Sequence, residues 1–189
     1  MAQGLLFLKE GFFHIVSIYS LDHLLFLLAL VAIYQLKDWK EILALVTVFT
    51  AAHAITLLIS ILNWITIPNA IIEWLIALTI FYTCIENLYL TKFKYAKIYI
   101  VACFGLIHGI GFSQTLKGLF MGMEYNPWNT LLPFNIGVEI GQVLVLLMFV
   151  LIIHLISKVN YFNQKKIIQM ISIPVAMIAL FWLLQRNIF

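Results

Sequence analysis

Charge is scarce in this chain. Asp, Glu, Lys and Arg make up 10% of its residues, where a soluble globular domain carries about 25%. Cysteine is nearly absent too. Cys84 and Cys103 both fall inside long apolar stretches, so no disulfide framework is implied, and neither has a cysteine partner at zinc-site spacing. The sequence holds no ATP-binding loop and no His-Glu-x-x-His helix. The opening MAQGLLFLKE has too short an apolar run for a signal peptide and no small-residue cleavage site after it; it reads as a short interfacial helix. The net charge of +3 gives no reason to invoke nucleic acid.

What is present is apolar: 64% of the residues are hydrophobic and the mean hydropathy is +1.06. One compact domain embedded in a lipid bilayer follows. A hydrocarbon core is crossed by about 20 apolar residues in a helix. Six segments qualify, at about 11–36, 41–62, 69–90, 96–116, 131–157 and 166–185. The breaks are marked by Lys37 to Lys40, Asn63 to Pro68, Lys92 to Lys97, Lys117 to Thr130 (which contains Met121 and Met123) and Lys158 to Lys166. Tyr34, Trp39, Trp64, Trp74, Tyr95, Trp128 and Trp182 gather near them as an aromatic belt. The expected fold is an all-α integral membrane protein, six transmembrane helices in one compact bundle. The loops after spans 1, 3 and 5 hold Lys37, Lys40, Lys92, Lys94, Lys97, Lys158, Lys165 and Lys166, against Lys9, Lys117 and Arg186 on the other side. The positive-inside rule then puts the odd loops inside and both termini outside.

Against this background the ionisable groups within the spans are costly. Each costs about 2.5–3.5 kcal/mol near the bilayer centre. Asp22 and His23 interrupt the first span, His53 the second, His108 the fourth and Glu139 the fifth. At 1.5 Å rise per residue, Glu139 and His108 fall about 12 Å from the outer ends, His53 about 14 Å, and Asp22 and His23 about 16–18 Å. Four helices thus bring imidazoles and carboxylates to one layer in the outer half of the bundle. Glu73, Asn135 and His14 sit shallower and could line an entrance. On span 5, Asn135, Glu139 and Gln142 share a face, and Gly137 and Gly141 form a small-xxx-small strip on the opposite one. Gly105 and Gly109 do the same on span 4. His14 and His23 lie about 180° apart on an ideal helix, so either one turns away from the site or the stretch around Ser17–Ser20 is irregular. A weak internal repeat pairs Phe49-x-x-x-His53 with Phe104-x-x-x-His108, and Asn69-x-x-x-Glu73 with Asn135-x-x-x-Glu139. Glu86 and Asn87 lie near the inner surface, as helix-end groups or as an inner gate. Thr50, Thr56, Thr79 and Thr83 are expected to bond their own helix backbone.

Neutral imidazole with carboxylate suits a divalent transition metal, Ni, Co or Zn, whereas Cu(I) would want sulfur ligands that this layer lacks. The predicted metal ligands are His23, His53, His108, Asp22, Glu139 and His14. Glu73, Asn135, Gln142, Glu86 and Asn87 would support them or line the path.

The motifs Gly11-Phe-Phe-His14 with Asp22-His23-Leu-Leu-Phe, Phe49-Thr-Ala-Ala-His53-Ala-Ile-Thr56, Glu73-Trp-Leu-Ile-Ala-Leu-Thr79 with Glu86-Asn87, Phe104-Gly-Leu-Ile-His108-Gly-Ile-Gly111 and Phe134-Asn135-Ile-Gly137-Val-Glu139-Ile-Gly141-Gln142 resemble the HupE/UreJ family of small bacterial membrane proteins. The resemblance covers spans 1 to 5 in order. The family hallmark, a histidine followed within one helix by an Asp-His pair, maps to His14, Asp22 and His23, here with wider spacing and Ile15 in place of a proline. The resemblance implies a multi-pass protein of the bacterial cytoplasmic (inner) membrane serving nickel or cobalt supply. Two functions follow, of which the first is favoured and the second is the alternative. One is a divalent-metal permease with its site in the outer half of the bilayer. The other is an intramembrane zinc-dependent hydrolase, with three histidines and a carboxylate holding Zn²⁺ and an acidic residue as general base, acting on lipids or acylated substrates from the outer leaflet. A sensor or accessory subunit working in a homo-oligomer or with a membrane partner is a third possibility.

Overall fold

The computed structural model describes residues 2–89, 94–119, 126, 128–159 and 163–186. Lys92, Met121 and Met123, on which the loop reading touched, lie outside the described residues, as do the side chains of Lys94 and Tyr95. Seven α-helices follow in order among the described residues, with no strand: α1 Ala2–Val16, α2 Leu21–Val31, α3 Trp39–Ile61, α4 Asn69–Tyr89, α5 Lys94–Leu119, α6 Leu131–Ser157 and α7 Gln164–Gln185. Five of them are long and apolar enough to cross a membrane, and the α1–α2 pair makes a sixth if read as one bent span. This is a multi-pass membrane bundle.

The later helices lie close to the predicted spans. The first span differs. Helix begins at Ala2 rather than near residue 11, because α1 has its own apolar face: Phe7 and Ile15 are buried. It stops at Val16, where Ser17 takes an extended conformation and its hydroxyl accepts the backbone N–H of Tyr19 (3.1 Å). A serine that bonds the local backbone offers the chain an alternative to helix. A 3₁₀ turn at Ile18–Ser20 follows, and α2 leaves at 57° to α1.

α2 is the central element. Phe26, Leu27, Ala29, Leu30 and Val31 are each at most 2% exposed, and α2 touches α1, α4, α6 and α7. Around it the most extensive pairings are α3 on α5, α1 on α6 and α4 on α7. Gly4 lies beside Asn129 and Pro133, Lys117 donates to Asn63 (2.7 Å), and Arg186 donates to the Glu73 carbonyl (2.8 Å). These contacts gather both chain ends, the α3–α4 turn and the start of α6 at one end of the bundle. At the other end Asn87 donates to the Ala29 carbonyl (2.6 Å) and Gln164 to that of Ile33 (3.3 Å).

Glycines set two of the helix pairings. A Cβ on Gly109 would overlap the His53 carbonyl and the Thr56 hydroxyl, and one on Gly105 the Phe49 carbonyl. α3 and α5 thus run side by side in parallel with their backbones nearly touching, which is how the two Phe-x-x-x-His segments become neighbours. The Gly137–Gly141 strip meets α1 in the same way, against Leu8, Phe12 and Ile15, and Gly11 returns the contact against the Phe134 carbonyl. Close approach without an apolar driving force from lipid is the established use of small residues in membrane helices.

Gly109→Ala should therefore push α5 off α3, lowering stability by about 1–3 kcal/mol as overpacked sites do. Gly118→Ala, where an added Cβ meets nothing within 4 Å, should leave it unchanged. Thermal unfolding of the two variants in detergent checks the contrast; equal melting would refute the packing assignment.

Candidate metal centre

The break after Val16 creates the site. His14 stands in the last turn of α1 and His23 in the first of α2. The turn between them rotates what an ideal helix would hold apart, and the two rings come to 4.6 Å between centroids. His53, from the middle of α3, is 6.5 Å from His14. The ligand-capable atoms of His14, His23 and His53 lie within 4.8 Å of one another. Three imidazole nitrogens at about 2.0–2.1 Å from a tetrahedral ion stand roughly 3.4 Å apart, so about an ångström of ring movement closes the set.

The hydrogen bonding of these rings is incomplete in a directed way. Asp22 Oδ1 accepts the backbone N–H of His23 (2.9 Å) and lies 3.0 Å from His23 Nδ1. A carboxylate on Nδ1 fixes the tautomer and leaves the Nε2 lone pair free. His23 Nε2, His14 Nε2 and both nitrogens of His53 are buried without a partner among the described residues. His108 is a fourth imidazole beside the three, 5.2 Å from His23 between ring centroids. Thr79 spends its one hydroxyl hydrogen on the Ile76 carbonyl (2.7 Å), so across the 3.1 Å contact it accepts from His108 Nε2. That leaves the Nδ1 of His108 unprotonated, and it too is buried and unpartnered.

Aromatic rings wall the group. Phe112 lies 3.8 Å from His14 and stacks on Phe134 at 5.0 Å. Phe49 lies 5.2 Å and Phe26 5.3 Å from His108. A cavity of about 440 Å³ opens onto His14, Asp22, His23 and His108 and is bordered by Tyr19, Glu73 and Arg186. Glu73 is held at its rim by Arg186, Nε to Oε2 3.6 Å. His53 lies behind, 1% exposed.

Not every predicted site residue joins this cluster. Glu139 forms no ligand-capable group among the described residues; its carboxylate accepts from Thr47 (2.6 Å), and one turn on Gln142 accepts from Thr50 (2.7 Å). Glu139 and the side-chain oxygen of Gln142 thus serve the seam with α3. The repeat is accordingly half realised: its Phe-x-x-x-His segments meet, whereas Glu73 goes to the cavity rim and Glu139 to the seam. Asn135 donates to the Leu131 carbonyl (2.8 Å), and its side chain also lies against His53, with Oδ1 making no hydrogen bond of good geometry. Glu86 and Asn87 are far down α4, buried at 6% and 2% exposure beside Lys97. Thr79 does bond its own helix, as expected, but it also holds His108. The sequence showed Phe112 only as part of a motif, and Arg186 and Lys97 only as loop charges, with no role at the site for any of them. Phe112 had a usable signal, lying four residues after His108 on the same face; the partners of Arg186 and Lys97 are set by tertiary packing alone.

No curated protein and no solved structure matches this chain. The family model for HupE / UreJ protein matches it over residues 1–186, a span that takes in the broken first helix, all four histidines of the cluster and α7. The chain belongs to the HupE/UreJ protein family.

Proposed function

We propose that the protein is a permease for a divalent transition metal of the nickel and cobalt type, with His14, His23 and His53 as ligands. The observation that carries this reading is the convergence of buried imidazole nitrogens that no described protein group satisfies. Each unmade hydrogen bond of this kind costs about 1–3 kcal/mol, and a bound cation removes the cost at all three rings at once. Asp22 orients His23, and His108 stands ready as a fourth donor. Glu139 is left out of the ligand set.

A second observation favours passage over catalysis. Below His108, α4 presents Thr79, Thr83, Glu86 and Asn87 at helical spacing, all buried at 1–6% exposure. A hydrolase working from the cavity needs no such row. The zinc-hydrolase reading retains one point in its support: three histidines beside an open cavity resemble a catalytic zinc site with a free fourth position. The lysine distribution favours the cavity facing outward, so the cation enters past Glu73 and leaves along α4 to the cytoplasm. The chain's own work is to bind the ion between the phenylalanine wall and the open cavity, and to rearrange between the two ends.

Proteoliposomes should take up Ni²⁺ or Co²⁺ saturably, and His53→Ala should abolish that uptake with the bundle still folded. Tightly bound metal without flux would contradict the permease and favour the hydrolase. Asp22→Asn should weaken metal affinity 10–100-fold, the usual effect of losing a carboxylate behind a ligating histidine, and should leave uptake measurable at high metal.

A further inference from the structure

The row of polar groups on α4 ends in a buried cluster of oxygens around one ammonium. Glu86 and Asn87 lie seven and eight residues beyond Thr79, about 10 Å along the helix axis. Asn87 is fixed in orientation: its amide nitrogen donates to the Ala29 carbonyl of α2 (2.6 Å) and faces the Ser172 hydroxyl of α7 (3.4 Å). Both donor hydrogens are spent, so its carbonyl oxygen faces the other way. There it meets the ammonium of Lys97, at 3.4 Å, with Glu86 Oε2 at 3.8 Å and the Tyr34 ring centroid at 5.7 Å. Lys97 is 2% exposed. An amide oxygen, a carboxylate and an aromatic face turned toward one point are what a cation binds.

The ammonium sits loosely between these oxygens. Charge-assisted N–H···O bonds close to about 2.7–2.9 Å, and neither oxygen comes that near. Lysine carries its charge on a flexible four-carbon stem, here anchored near the first turns of α5 at the end of the bundle away from the histidines.

We infer that Glu86 and Asn87 form a second, oxygen-donor cation site on the exit path, and that Lys97 is a tethered cation occupying it until the transported ion arrives. The inference rests on the permease reading and gives it an exit gate. Oxygen donors hold a transition-metal ion more weakly than three imidazoles do, which suits release. When the ion is absent the ammonium keeps Glu86 paired and bars the site to other cations; when it arrives, the two positive charges repel and Lys97 leaves.

Equilibrium binding of Co²⁺ to the purified full chain tests this without recourse to flux. The wild type should bind one Co²⁺ tightly and a second only at high concentration. Lys97→Met should bind the second at least tenfold more tightly, and Lys97→Met/Glu86→Gln should lose it. Equal second-site affinity in wild type and Lys97→Met, or a second ion retained in the double variant, would overturn the inference. Should Lys97→Met fail to fold, the wild type still decides. Saturating Co²⁺ should raise labelling of Lys97 by an amine-reactive ester several-fold relative to exposed Lys158, and unchanged labelling would refute displacement. Absence of flux with these binding results intact would remove the permease and leave the cation site standing; flux without them would do the reverse.

Discussion

The structure depends on the cost of burying imidazole lone pairs in an apolar bundle. Phe26, Phe49, Phe112 and Phe134 wall the group, and the rings of His14, His23, His53 and His108 have buried nitrogens that meet no hydrogen-bond partner among the described residues. A bundle selected for stability alone would have paired them or replaced them with leucine. Each feature around them maintains the arrangement: Asp22 and Thr79 use up the nitrogens that point away from the centre, and the turn at Ser17 brings the ends of two helices to one place.

Helix packing is the means of holding four rings within a few ångströms. Lipid supplies no hydrophobic drive between membrane helices, so their positions are set by contact and hydrogen bonding. Gly105 and Gly109 seat α5 on α3 at the level of Phe49 and His53, and Gly11, Gly137 and Gly141 seat α1 on α6 beside His14. The threonines complete the seams, with Thr56 donating across to the Leu106 carbonyl (2.8 Å). A shift of one helix by the width of a methyl group would separate the nitrogens.

Much of this was legible in the sequence, for a physical reason. Polar groups in apolar spans are expensive, so their presence reports function more directly than in a soluble chain, and the histidines stood out at once. The spacing also raised the conflict between His14 and His23, which the break at Ser17 resolves. The unread part depends on partners supplied by other helices. Glu139 is not part of the imidazole group among the described residues: its carboxylate accepts from Thr47. Asp22 looked like a ligand and its nearest contacts are with His23. Lys97 counts as loop charge in any tally, yet the bundle folds over it and pairs it with Glu86. Depth follows from counting residues along one helix, whereas azimuth and partnership require knowing which helix lies alongside.

X-ray absorption on the Co²⁺-loaded protein bears on the central claim most directly. The account predicts a shell near 2.0–2.1 Å with the outer-ring scattering of three imidazoles, reduced to two in His53→Ala. A shell of oxygen donors alone, or one indifferent to His53, would contradict it.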